Sequence, residues 1–267
     1  MERMKLCPYF AKGNCKFSEK ECRFSHSFLQ SIPKSSSPVS YKKPKNTECF
    51  EPSYRPADLR FLVEYGQSKS QLDLQTQDIL VIPDLFPREQ KHPFSIYDQL
   101  LWEMDHCGVH PDLLWKSWHG DTHWIADDQT QFKKHCPTFQ WVLDTLANYF
   151  QMDIKATRFN FFENSNEWKP FHHDAAAVKP EKAKVQNFTV GVSFGATREI
   201  AFEDAKTNAY RNTISIPLPD GTTYAFTRDV NIQWKHGVPA IRNTSTNIDT
   251  RGRISIIAWG YVEQKDV

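Results

Sequence analysis

The chain has 267 residues, 39% hydrophobic and 24% charged, with a formal net charge of +1. It holds enough apolar material for one sizeable core and a small appendage. No apolar run approaches a membrane span, so the expectation is an intracellular protein of nucleus or cytoplasm with no membrane partner. The net charge hides a split: residues 1–45 carry ten Lys/Arg against three Asp/Glu, and the remainder 23 against 29. Charge that attracts phosphates is concentrated at the N-terminus.

Residues 1–30 hold Cys7, Cys15, Cys22 and His26, spaced C-x7-C-x6-C-x3-H. A segment this short builds little core, but four such ligands around one Zn²⁺ can fold it, since metal binding then supplies folding free energy. With Phe10, Gly13, Phe17 and Phe24, residues 5–27 resemble the CCCH zinc-finger family. The resemblance implies binding of single-stranded RNA, with bases stacking on Phe10, Phe17 and Phe24; such stacking contributes roughly 1–3 kcal/mol per base. Residues 31–46 are rich in Pro, Ser and Lys and read as a flexible basic linker, spanning about 20 Å. Cys49, Cys107 and Cys136 have no ligand-like spacing and read as reduced thiols.

The folded region is expected over residues 47–267. Residues 58–65 alternate as a strand, and 78–86 give another, ended by Pro87. Ser95 can cap a helix whose apolar stripe is Ile96, Leu100, Leu101 and Met104. Pro137 stands near the start of a second helix, with Phe139, Val142, Leu143, Leu146 and Phe150 as its stripe. Between them lies an aromatic, histidine-rich loop from Trp115 to Trp124. From residue 154 onward short β-rich runs appear at 156–163, 186–194, 198–203, 213–217, 222–227, 230–236 and 252–262, separated mostly by turn residues. Helices packed on an all-β sandwich or barrel follow, and no internal repeat is visible.

Within the β region stands Phe171-His172-His173-Asp174. On an extended strand His172 and Asp174 point to one face. With His236 from a later run they make two histidines and a carboxylate, a set that binds Fe(II) on one face; catalytic Zn²⁺ is an alternative on ligand type. Arg253 lies seventeen residues after His236, and its planar fork suits a carboxylate. A second HxD, His119-Gly-Asp121, lies in the inter-helix loop and lacks strand context.

Together, residues 154–262 resemble the AlkB-like branch of the Fe(II)/2-oxoglutarate dioxygenases. The carrying residues are Arg158-Phe-Asn160-Phe-Phe162, His172-x-Asp174, His236-Gly-Val238 and Arg253 with its following strand. The resemblance implies a mainly β fold, a double-stranded β-helix (jelly roll) with helices packed on one sheet. It implies iron on His172, Asp174 and His236, and Arg253 on the distal carboxylate of 2-oxoglutarate with Asn160 assisting. It also implies hydroxylation of a substrate C–H, which on an N-methyl base releases formaldehyde. The loop at 115–128 falls where the family places a nucleotide-recognition lid, so Trp118, His119, His123 and Trp124 are candidate base contacts; His173 and Trp234 flank the metal ligands. The sequence departs from the family at Phe162, often tyrosine, and at Trp259, where many nucleic-acid members carry a second arginine. The expected function is an RNA-directed dioxygenase with its RNA held by the finger. Alternatives are an RNA-binding protein with a non-catalytic barrel and an oxygenase acting on protein side chains. Oligomeric state is open.

Overall fold

The computed structural model describes residues 59–66, 69–70, 74–86, 95–119, 122–206, 213–241 and 251–263. All belong to the larger of two units of the chain, residues 44–267. The expected zinc ligands Cys7, Cys15, Cys22 and His26, the aromatics Phe10, Phe17 and Phe24, the linker and Cys49 lie outside the described residues.

Twelve strands are formed among the described residues: β1 (Arg60–Val63), β2 (Asp78–Ile82), β3 (Lys116–Ser117), β4 (Trp124–Asp127), β5 (Met152–Phe162), β6 (Lys169–His172), β7 (Phe188–Gly195), β8 (Arg198–Asp204), β9 (Thr213–Leu218), β10 (Thr223–Thr227), β11 (Trp234–Val238) and β12 (Arg253–Val262). They build an eight-stranded sheet in the order β1-β2-β10-β7-β12-β5-β4-β3 and a four-stranded sheet in the order β6-β11-β8-β9. Only β1 and β2 pair in parallel. The fold is mainly β, a two-sheet jelly roll with helices on one sheet.

Two long helices, α1 (Ile96–His106) and α2 (Pro137–Phe150), cover the outer face of the large sheet. Ser95 caps α1 through a reciprocal box: its Oγ accepts from Asp98 N–H at 3.2 Å, and the Asp98 carboxylate accepts from Ser95 N–H at 3.3 Å. The buried Glu103 of α1 then caps α2, accepting from Thr138 N–H at 2.6 Å and Phe139 N–H at 3.2 Å. The α2 stripe Phe139, Val142, Leu143, Leu146 and Phe150 is buried throughout. Cys107 and Cys136 are free and buried beside it.

Strand alternation divides the core in two. On β12, Ile254, Ile256 and Ala258 face the helices, while Arg253, Ser255, Ile257 and Trp259 face inward between the sheets. A second apolar cluster, including Ile79, Phe202, Tyr224 and Phe226, fills the inter-sheet space. The site lies at one end of that space.

Three local expectations change. The second strand stops at Ile82, before Pro83 rather than at Pro87, because a proline cannot continue a central ladder. The run 230–236 is a strand only from Trp234; Arg228–Gln233 is a helix, here α3. Val230 and Ile232 are spaced as on a strand face, but both are buried within this short helix, leaving no period to distinguish the two states. The loop 115–124 contains β3 and part of β4, which pair at the edge of the large sheet. No helix among the described residues is long and apolar enough to cross a membrane.

Candidate metal centre and its pocket

His172 ends β6 and His236 lies on β11, directly opposite it in the antiparallel pair. Cross-strand partners share a face, which brings the two imidazoles to 4.5 Å between ring centroids. Asp174 follows β6 in extended conformation, at the N-cap of a single 3₁₀ turn. Its carboxylate lies 3.7 Å from His172 Nε2 and 3.6 Å from His236 Nε2. All three residues are buried, and one ligand atom from each lies within 4.8 Å of the others. Among the described residues this is the one cluster that can hold a metal ion.

The surroundings preset the donor atoms. His172 Nδ1 lies 2.8 Å from the Pro170 carbonyl, so that nitrogen donates and Nε2 is left as the ligand. Asp174 is braced by Asn231 of α3: Asp174 N–H donates to Asn231 Oδ1 at 2.8 Å, and Asn231 Nδ2 donates to the Asp174 carbonyl at 3.3 Å. Thr189 Oγ1 donates to the carboxylate at 3.2 Å. Burial, then the neighbouring His236 and Lys169 charges, push the His172 imidazole well below its usual range. Burial alone would raise the Asp174 carboxyl, but His236, His172 and Lys169 outweigh it and hold it low. The site therefore presents a neutral His172 imidazole and an Asp174 carboxylate at neutral pH, forms that bind a metal.

Arg253, at the start of β12, is 1% exposed. Its Nε donates to Ser193 Oγ at 2.7 Å, and its Nη1 is buried with no partner among the described residues. Burial lowers it to about 10. It lines one cavity with Asp174, His236, Asn160, Tyr224 and Trp259. Asn160 donates from Nδ2 to the Ser255 carbonyl at 2.9 Å; its Oδ1 therefore accepts from His123 Nε2 at 3.3 Å.

The other expected contacts are placed as follows. His123 is buried and stacked on Phe162, ring centroids 4.5 Å apart at 7°. It packs behind the lining residues Phe162 and Asn160 rather than offering a free face for a base. Trp118 is half-buried and reaches within 6.3 Å of His172. Trp124 pairs with Phe161 across β4 and β5 and faces the helices, where it lines a separate cleft of about 420 Å³. His119 is exposed and Asp121 lies outside the described residues. His173 is buried, its Nδ1 donating to the Asn231 carbonyl at 2.5 Å. Trp234 packs on the inter-sheet cluster.

Lys169 also lines the pocket, and Arg158 lies beside it over the lining Trp259; neither was expected as a site residue. Arg158 shares an inward face with Asn160 and Phe162 by simple alternation on β5, a signal available in the sequence. Lys169 was not legible. On a regular strand it would face away from His172, three residues on. But three steps of β6 oppose two of β11 at a bulge, which turns Lys169 inward. Gly237 permits this: a Cβ there would lie 2.7 Å from the Lys169 carbonyl oxygen.

No family model matches the chain, and no curated protein matches it. Among solved structures the chain is similar to OsALKBH1, at 13% identity and a TM-score of 0.43, covering 66% of this chain and 95% of that one. It is also similar to a prolyl hydroxylase from Trichoplax adhaerens in complex with a hypoxia inducible factor oxygen degradation domain peptide fragment, at 11% identity and a TM-score of 0.43, covering 69% and 83%.

Proposed function

We propose that this chain is an Fe(II)- and 2-oxoglutarate-dependent oxygenase of AlkB-like type, oxidising a base in RNA. The observation that carries the reading is the joint presence of the His172–Asp174–His236 cluster and an unpaired, buried Arg253 in one cavity. Two imidazoles and a carboxylate on one side suit Fe(II) and leave the opposite positions open. The unpaired Nη1 of Arg253 is a buried donor in need of an acceptor, since a desolvated cation without a partner is costly. A carboxylate of 2-oxoglutarate answers it. Iron with 2-oxoglutarate and O₂ supplies oxidation of an unactivated C–H bond, with succinate and CO₂ as coproducts.

The chain's own groups then orient and enclose. Arg253 holds the distal carboxylate, with Tyr224 and Asn160 alongside. Phe162 has no hydroxyl to offer, and Tyr224 brings one to the same cavity from β10. The cavity is about 20 Å³, room for a single water, so it must widen to take the dicarboxylate. The basic segment before residue 46, with zinc on Cys7, Cys15, Cys22 and His26, holds single-stranded RNA and raises its local concentration at the acidic barrel.

The test is mass spectrometry of RNA nucleosides after incubation of methylated RNA with the iron-loaded chain and 2-oxoglutarate. Loss of a methylated nucleoside with matching succinate is expected, abolished in His172→Ala and Asp174→Ala. Succinate formed on a protein extract but never on RNA would move the activity to protein side chains.

A further inference from the structure

Arg158 lies outside the cavity lining shared by Asp174, His236 and Arg253, and Lys169, on that lining, makes no ion pair there. The Arg158 guanidinium is sandwiched between two indoles, 4.5 Å from the Trp118 ring and 5.4 Å from Trp259. Its Nε is buried without a hydrogen-bond partner among the described residues, as are the indole N–H groups of Trp118 and Trp259. Lys169 is 9% exposed, and its ammonium lies 5.3 Å over the same Trp118 ring. No carboxylate among the described residues forms an ion pair with either cation. Burial, then repulsion from Arg158, drops Lys169 to about 7. A half-buried guanidinium and a buried amine thus share the Trp118 ring, with no ion-paired carboxylate among the described residues. Cation–π contact does not replace an anion beside these groups.

We infer that Arg158 and Lys169 form an anion subsite that grips a carboxylate or phosphate carried by the substrate itself. This rests on the function proposed above. The subsite adjoins the cosubstrate cavity through Lys169, and its Arg158 end is set apart from Arg253. On the β5–β12 ladder Arg253 pairs with Phe162, four residues from Arg158, about 13 Å along the strand. A dicarboxylate held by Arg253 and the metal leaves Arg158 free. Trp118, beside His172, brings the subsite next to where a reacting carbon must lie.

The test is isothermal titration calorimetry of the full chain with inorganic phosphate, a nucleoside 5′-monophosphate, the matching nucleoside and acetate. The monophosphate is expected to bind at least about tenfold more tightly than the nucleoside if phosphate is the ligand; acetate outcompeting phosphate assigns a carboxylate instead. With Mn(II) and saturating 2-oxoglutarate present to occupy Arg253, Arg158→Gln and Lys169→Gln each weaken the preferred anion about tenfold, and Arg158→Lys weakens it less. Near-ultraviolet circular dichroism confirms folding, and Arg158→Lys serves if Arg158→Gln does not fold. Anion binding that is absent, or insensitive to Arg158→Gln and Lys169→Gln, overturns the subsite. Metal-dependent 2-oxoglutarate binding, measured in parallel with Mn(II), reports separately on the oxygenase reading.

Discussion

Phe162 holds three neighbours in register. His123 stacks on it, and the guanidinium carbons of Arg253 and Arg198 lie 5.2 Å and 5.5 Å from its ring centroid. Arg198 ties the loop after β5 to the end of β11, donating to the carbonyls of Asn164, Glu167 and Pro239. His123, in turn, keeps Asn160 oriented toward the pocket. Burial, then the Lys169 charge, lowers His123 to about 3. Between that value and the ordinary 6.5 the unfolded chain takes up a proton that the folded chain refuses. Stability from this group is therefore full above about pH 6.5 and falls as pH drops toward 3. Urea unfolding at pH 7 and pH 4.5 should show His123→Gln losing about 2 kcal/mol less than the parent chain over that interval. Equal losses would mean that His123 is protonated in the folded state.

At the scale of elements, the candidate metal cluster depends on a short helix that adds no residue to it. Asn231 of α3 fastens the Asp174 backbone from both sides and accepts from His173 through its carbonyl. Asn231→Ala removes that brace while leaving all three ligands in place. Metal affinity is expected to fall about 10–100-fold, with a stability loss of about 1–3 kcal/mol from the unsatisfied Asp174 amide; equilibrium dialysis and thermal unfolding measure the two. Unchanged affinity would show that the turn after β6 holds Asp174 unaided. Asn231 had no sequence signature, because the run containing it alternates as a strand would. The ligands were legible for the opposite reason: His172, Asp174 and His236 sit at offsets that strand geometry reads directly, and Asn160 and Arg253 fall inward by period two. Lys169 needed the bulge, which the sequence marks only through Gly237. Trp124 read as a pocket aromatic by nearness in sequence to His123, but one residue along a strand is the opposite face.

For the whole molecule, the charge split and the buried cations point to two separate uses of positive charge. The proposed use of the basic segment before residue 46 is long-range attraction to phosphates, screened by salt, and that of Arg158, Lys169 and Arg253 is binding at contact distance inside the jelly roll. Removing residues 1–45 should weaken RNA binding at least tenfold in filter binding at moderate salt, and leave metal binding at His172, Asp174 and His236 intact. Undiminished RNA affinity in the truncated chain would assign the segment to another partner.

The central claim is that Arg253 and the three-residue cluster form one site for metal and cosubstrate. Binding of labelled 2-oxoglutarate to the zinc-loaded full chain, with and without Fe(II) under anaerobic conditions, tests it most directly. The account predicts one equivalent of 2-oxoglutarate bound only when Fe(II) is present, lost in Asp174→Ala and weakened at least about 100-fold in Arg253→Gln. Binding that needs no metal, or that survives both substitutions, would contradict it.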